Sequence, residues 1–484
     1  MSTRTELKPI SIVLASVAAI TLCLLLVSPG YAQPSEHLPQ PRPQESSQNE
    51  AVGNRFVPPP QMPGMPPAVP NGQLPPSRET APLSLQAALD LAQQHNPTLR
   101  QARAQVTAAL GTAIQAGLYP NPELAYAAEQ IGVEGTPGEF HGAIFRQEIV
   151  TAGKLRLSRE KYLERVAAAE ALAVAQQFRV CNDIKIQFYD ALAHAQLVDV
   201  HRDLAKSAED AALTARELYN LGQASRADVL RSNVKLQRSR LDLRASENRY
   251  HQAFRRLTSI IGVALPAGSL ESPPEESPQV TDFDLLLAEL WENSPLLLAA
   301  RAKLRADQIT IERERVQPIP NIYLEGGAGY NFEAEETVAV AGVAVRLPLW
   351  DRNQGTVQQA RADAARQQAE VERLQLLLRR DLADTYQGYV TSAQHVRQFQ
   401  EVILPDSREA YLTLLQSYKE NRAEWPDVLE AQREYFETRV DYIRELAQWR
   451  KSDVLVRGML LRGGLMAAEG PTPPGHIDAT PRPR

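Results

Sequence analysis

The chain carries nearly the same signals twice. Residues 85–261 and 287–460 repeat one order of features about 199 positions apart. Asn96-Pro97 returns as Ser294-Pro295, Pro120 and Pro122 return as Pro318 and Pro320, and Tyr219 returns as Tyr418. Asp228-Val229-Leu230 returns as Asp427-Val428-Leu429. Solenoid units recur every 20–50 residues or so, and this period is far longer. The chain is therefore a duplicated half-protein, and any fold proposed for it must be built from two like units.

Each unit reads as helix, strand pair, very long helix and returning helix. Ser84 caps a short helix to His95, and Pro97 opens the next at a first-turn position where its missing N–H costs nothing. That helix is expected to run to about Gly117, and its counterpart from Pro295 to about Val316. Strands are expected at 123–131 and 140–149, and again at 322–332 and 337–349. In the second pair Tyr323, Glu325, Gly327 and Gly329 share one face, and Ile322, Leu324, Gly326, Ala328 and Tyr330 the other. Ala339, Ala341, Val343, Val345, Leu347 and Leu349 also share a face. One apolar and one more polar face fits a membrane-spanning strand. Four strands cannot close a membrane barrel, whose smallest single-chain form has eight, and lipid does not tolerate open edges. Several copies of the chain would have to pool their strands.

Helices from Lys154 to Leu218 and from Gly355 to Leu404 follow the strands, with Pro405 expected to interrupt the second. At 1.5 Å per residue, roughly 65 residues reach about 100 Å. The chain returns through 228–261 or 427–460, only half as far, so the short helices from Pro97 and Pro295 are expected to stack end-on to the returning ones. Val229, Leu236, Leu243, Tyr250 and Leu257 recur every seven residues, as do Val428, Tyr435, Tyr442, Trp449 and Val456. A strict seven-residue repeat imposes a left-handed supercoil. Small residues sit three positions later (Ser232, Ser239, Ser246 and Ala253; Ala431, Thr438 and Ser452), and Glu445 breaks the second series. This large–small alternation suits a curved wall of closely spaced helices, and an ordinary two-stranded coiled coil would also satisfy it.

Outside the repeats, Arg4 and Lys8 precede an apolar run from Ile10 to Val27, and Gly30-Tyr31-Ala32 offers small residues before Gln33. Residues 1–32 therefore read as an export signal. Residues 33–82 hold 14 prolines and read as a disordered spacer. The repeats are assigned to 83–262 and 281–461, a linker to 263–280, and a flexible tail to 462–484. Cys181 is the only cysteine beyond the apolar run that holds Cys23, and its neighbours Phe178, Ile184 and Phe188 suggest a buried thiol. The formal net charge of −6 gives no reason to expect nucleic acid, and eight scattered histidines form no metal cluster. No catalytic constellation, phosphate loop or cofactor motif is present. The chain reads as a non-enzyme with no cofactor.

Three segments carry a family resemblance: Asn96-Pro97-Thr98-Leu99, Tyr119-Pro120-Asn121-Pro122, and the turn Tyr219…Gly222…Asp228-Val229-Leu230. With them the chain resembles the TolC-like outer-membrane efflux proteins over roughly 83–461. The run from Pro348 to Gly355 (PLWDRNQG) and Gly153-Lys154-Leu155 resemble the cobalt–zinc–cadmium (Czc-type) cation efflux subgroup. The resemblance implies a mainly α fold with a small β part. Three chains would form an α-helical barrel about 100 Å long and a pooled transmembrane β-barrel in the outer membrane of a Gram-negative-type cell. It implies a homotrimer in outer-membrane lipid, a periplasmic adaptor, and an inner-membrane pump of the resistance–nodulation–division class. The chain would be a passive export duct for heavy-metal cations. The alternatives are a duct for drugs or secreted protein, or a periplasmic coiled-coil scaffold without a barrel.

The resemblance places the functional positions at the periplasmic tips, 219–228 and 418–427. Asp427 and Glu430 match the acids that constrict the tunnel in relatives, with Asp228 as the first-half equivalent of Asp427 and Arg231 standing where Glu430 does. Rings of carboxylates select cations and repel one another. Helix capping by Asp427 is the plainer role and can coexist with gating. Relatives hold the gate shut with a basic residue where this chain has Ala423, so Arg226 and Arg422 are the candidate latches. Tyr219, Gly222 and Ser225, with Tyr418 and Asn421, form the turns expected to dock the adaptor; Gly222 and Asn421 suit a left-handed turn.

Overall fold

The computed structural model describes residues 82–131, 139–274, 277–420, 422–467, 469–473 and 475–478. The export signal, the spacer up to residue 81, and Asn421 lie outside the described residues. The first unit runs α1 (Leu85–His95), α2 (Pro97–Gly117), β1 (Glu123–Glu129), β2 (Phe140–Ile149), α3 (Lys154–Asn220) and α4 (Arg226–Ile261). The second runs α5 (Phe283–Asn293), α6 (Pro295–Val316), β3 (Ile322–Asn331), β4 (Glu336–Val345), α7 (Gln354–Gln398), α8 (Leu404–Lys419) and α9 (Trp425–Arg457).

The helix starts follow the sequence logic. Ser84 Oγ accepts from the Ala87 amide at 3.1 Å, and Asn96 caps α2, whose first residue is Pro97. The end-on stacking of α2 and α4 is held by Asn96, whose Nδ2 donates to Ile260 O at 2.7 Å. The seven-residue stripe of α4 faces inward, with Leu236, Ser246, Ala253 and Leu257 buried. In α9, Val428, Ala431, Trp449, Ser452 and Val456 are buried, and Glu445 lies 3.2 Å from His395 Nδ1 on α7. α3 is the central strut. It packs against α2 through Ala109, Ala113, Val166 and Ala169, and against α9 through Val200, Phe436 and Ile443.

Several boundaries differ from expectation, three of them informatively. β1 stops at Glu129, short of Ile131. β4 stops at Val345, before Pro348 can remove a ladder donor. Pro405 does not interrupt the long helix of the second unit. The helix passes through a π-turn, Phe399–Ile403, and Pro405 sits in the first turn of α8. A π-turn loosens the hydrogen-bond spacing just where proline withholds an N–H.

The strands form one antiparallel sheet in the order β1-β2-β3-β4, because β2 pairs with β3 across the two units. The register sorts the faces. Directly paired Glu123, Arg146 and Glu325 share one side with Glu148 and Tyr323, and Arg146 Nε lies 2.8 Å from Glu325. The other side carries Leu124, Tyr126, Phe145, Leu324, Val343 and Val345, all exposed. The outer edges of β1 and β4 are unpaired among the described residues.

The tail is not loose. Gly464 donates its amide to Asp183 at 2.7 Å, and its carbonyl accepts from Thr98 and Gln176. His476 and Ile477 are buried. Polar groups on α3, α6 and α7 give the described part of 462–484 a built seat. Cys181 is half-buried, and burial pushes its thiol pKa up.

Candidate functional site at the helical tips

The first tip is a self-satisfied turn. α3 ends at Asn220, and Gly222 adopts φ +73°, a left-handed conformation that an L side chain resists. The Gln223 amide then reaches back to Leu218 O at 2.8 Å. α4 opens with a capping box: Ser225 Oγ accepts from the Asp228 amide at 3.3 Å, and Asp228 Oδ2 accepts from the Ser225 amide at 3.1 Å. Ser225 Oγ also donates to Asp228 Oδ2 at 2.7 Å. These bonds, helped by Arg231 at 3.6 Å, hold the Asp228 pKa below its ordinary value. Arg226 is exposed at the first position of α4.

The second tip is built differently. The amide of Arg422 reaches Ser417 O at 2.8 Å, closing the end of α8. The N-cap of α9 is Glu424, which makes no side-chain capping bond, and Trp425 and Pro426 follow. Asp427 is therefore the third helical residue and not the cap, as Asp228 is in α4. Asp427 and Glu430 are both exposed, and Glu430 lies 3.7 Å from Arg433 in a pair open to solvent. Arg422 pairs with Glu420 rather than with Asp427. Tyr418 packs on Trp425 with ring centroids 4.9 Å apart, bracing the turn. Of the two candidate latches, neither contacts the candidate gate acids among the described residues.

The two hairpins stand side by side through α3 and α9, where Ser207 meets Gln432 at 2.6 Å and Arg439 meets Asp203 at 3.2 Å. At the opposite end, Lys154 bonds Ile319 O and, at 2.7 Å, Asn321 Oδ1, and Asn353 bonds Glu314 O at 2.9 Å. The Gly153-Lys154 and Asn353 loops thus tie the sheet to the helices, with Gly153 and Asn353 both left-handed. Burial, with Arg313 nearby, lowers the Lys154 pKa.

One constellation had no sequence signal strong enough to be singled out. Arg165 on α3 and Asp307 on α6 form an ion pair at 2.5 Å with both side chains 1% exposed. The tail closes over it: His476 Nε2 lies 3.0 Å from Asp307, and Lys161 lies 2.9 Å from Asp478. The Asp478 amide donates to His476 Nδ1 at 3.0 Å, and His476 Nε2 also lies 3.2 Å from the Arg165 guanidinium. The available clue was a lone acid in the Ala299–Thr310 stripe of α6, whose other inward positions are Ala and Thr. Among the described residues no group of three or more His, Cys, Asp or Glu could hold a metal. No described helix is long and apolar enough to cross a membrane.

Comparison with known proteins gives a consistent result. The family model described as "Outer membrane efflux protein" matches residues 88–263 and 286–460. The cobalt-zinc-cadmium resistance protein CzcC of Cupriavidus metallidurans is 30% identical over 383 residues, covering 77% of this chain and 88% of that protein. Protein CyaE of Bordetella pertussis is 25% identical over 339 residues, or 64% of this chain and 70% of its own. Among solved structures, CusC superposes with a TM-score of 0.64 at 15% identity, over 78% of this chain and 92% of that one. The open state of the MtrE outer membrane channel of Neisseria gonorrhoeae gives 0.63 at 18% identity, over 79% and 89%. These structural likenesses show a shared fold.

Proposed function

Because the chain belongs to the outer membrane efflux protein family, and is thus a channel protein of the outer membrane rather than an enzyme, we propose that it is the duct of a tripartite metal-cation efflux pump. The observation that carries the duct is the sheet. It has one polar face, one face of exposed apolar side chains, and two edges unpaired among the described residues, and it stands at the end of a 67-residue helix. A sheet with open edges is not tolerated in lipid. Three copies would pool twelve strands and close it, with the apolar face toward lipid and the Arg146 face toward the lumen. α3, about 100 Å long at 1.5 Å per residue, would carry the tunnel into the periplasm.

The duct supplies no energy. An inner-membrane pump would drive export, and a periplasmic adaptor would dock at the turns around Tyr219, Gly222, Ser225, Tyr418 and Asn421. Asp427 and Glu430 would ring the narrow end and favour cations, with Asp228 serving the first tip as a capping residue. Metal cargo is favoured over drugs or secreted protein by the resemblance to the cobalt-zinc-cadmium resistance protein, which covers most of both chains.

Cell fractionation and metal-tolerance assays test this reading. The full chain should be recovered as a heat-modifiable trimer in outer membranes. Its deletion should sensitise cells to divalent metal salts. Recovery only from the soluble periplasm would overturn the duct, and unchanged metal tolerance with increased drug sensitivity would overturn the cargo.

A further inference from the structure

The described tail residues have a seat whose position follows from three observations. The polar face of the sheet borders a cavity of about 930 Å3, with Glu148, Tyr323 and Arg346 on its sheet side and Lys161 and Tyr162 of α3 on its helical side. Asp478, near the end of the tail, borders the same cavity. The tail's partners on α3 are Lys161, Arg165, Gln176, Arg179 and Asp183. Their spacings of 4, 11, 3 and 4 residues keep them on one stripe of a 3.6-residue helix, in line with the cavity-lining Lys154 and Ser158. The side helices take other faces of α3: α1 packs in the cluster of Ile184 and Phe188, and Phe178 packs in the cluster that holds α5.

We propose that the described residues between 463 and 478 form a strap along the inner wall of the duct, just beneath the barrel, that limits the size of solute able to pass. The proposal rests on the duct reading, because the polar face of the sheet defines the inside. Its fastening is specific. His476 joins Asp307, which already pairs with Arg165, and the Ile477 amide donates to Asp363 on α7 at 3.2 Å. The Asp478 carboxylate takes Lys161. The strap thereby bridges α3, α6 and α7, and three copies in a trimer would line one level of the lumen. This level lies at the opposite end of α3 from the tips, so it filters cargo independently of whether the tip gate is open. A duct narrowed there would pass small hydrated ions more readily than larger solutes.

The side chain of Glu469 is 61% exposed and only 3.8 Å-paired to Arg179, so it is the position for a probe. In a full chain with Cys23 and Cys181 changed to serine, Glu469→Cys would be reconstituted in planar bilayers and treated with methanethiosulfonate reagents of increasing size. Current through open pores should fall on modification, with the larger loss for the larger reagent. A second chain ending at Arg462 should conduct more and admit larger polyethylene glycols. Complete modification, verified by mass, with unchanged current would overturn the strap, as would a truncated chain that folds and conducts like the full one. Absence of pores from every variant, the unmodified chain included, would overturn the duct reading and the strap with it.

Discussion

Replacing Asp307 by alanine tests the buried ion network most directly. The Arg165 guanidinium and the Asp307 carboxylate are each 1% exposed and 2.5 Å apart. After the substitution the guanidinium stays buried, with Asp478 4.0 Å away as the nearest remaining carboxylate. Breaking a buried pair by removing one partner costs about 3–5 kcal/mol, because a charge is left uncompensated. The same pair of helices offers an internal control. Arg305 on α6 and Glu164 on α3 lie 2.8 Å apart, but their side chains are 53% and 29% exposed. An exposed pair of this kind is worth roughly 0–1 kcal/mol. Heat unfolding followed by helical circular dichroism in detergent should therefore show a clear fall in Tm for Asp307→Ala and a marginal one for Glu164→Ala. A domain of 150–250 residues moves about 2–4 °C per kcal/mol, so the first change should exceed the second by several degrees. The double change Arg165→Met with Asp307→Leu should recover most of the loss, since apolar replacement of a buried pair is often neutral or better. Equal Tm values for Asp307→Ala and Glu164→Ala would refute the reasoning, because they would mean that water reaches the guanidinium.

The tips support three further predictions. Ser225→Ala removes the capping box and should cost about 1 kcal/mol of local stability, seen as faster proteolysis at 219–225; Glu424→Ala, at a cap with no side-chain bond, should leave the second tip unchanged. The bonds from Ser225 depress the Asp228 pKa, so their support is present above the ordinary carboxylate range and is lost as pH falls through the depressed value. Pepsin cutting at the first tip should accordingly rise below pH about 4 in the wild type and be insensitive to pH in Asp228→Asn. Asp427→Asn with Glu430→Gln should weaken block of the open pore by divalent cations in planar bilayers, and undiminished block would remove both residues from the constriction.

Much of the architecture was legible because its signals are local. Proline at the first helical position and Ser84 as a cap place α1, α2 and α6 almost to the residue. The two-residue period of β3 and β4 sorts their faces as the register later does. Three things were not legible, and in each the deciding partner is distant in sequence. The pairing of β2 with β3 spans more than 170 residues, and each hairpin is equally consistent with standing alone. The tail is rich in glycine and proline and has no period of its own; its order comes from Asp183, Asp307 and Asp363 on three separate helices. The passage through Pro405 depends on a π-turn, which has no composition signal. At the tips the sequence located the turns, but the capping residues had to be read from geometry. α9 begins three residues earlier than a cap at Asp427 would allow, which moves that acid to the third position, where Asp228 also sits in α4.

The two copies of the unit differ in how firmly their tips are held, and the differences point one way. The first hairpin descends on an unbroken helix whose lower part buries Val198, Val200, Ala205 and Ala212. Its turn is closed by a left-handed glycine, and its acid is spent on a capping box. The second descends through a π-turn into α8, which buries no residue at all, and enters α9 through a cap without a side-chain bond. Local opening is cheapest where buried apolar contacts are few and backbone groups face solvent. On that ground the second hairpin should open locally at lower cost than the first, as hydrogen exchange at the two tips would show. The exposed acids of the second, Asp427 and Glu430, form no capping box, and Glu430 meets only Arg433 in a pair open to solvent. The two copies of one unit are thus held unequally at their tips, the capping box belonging to the first and the π-turn to the second.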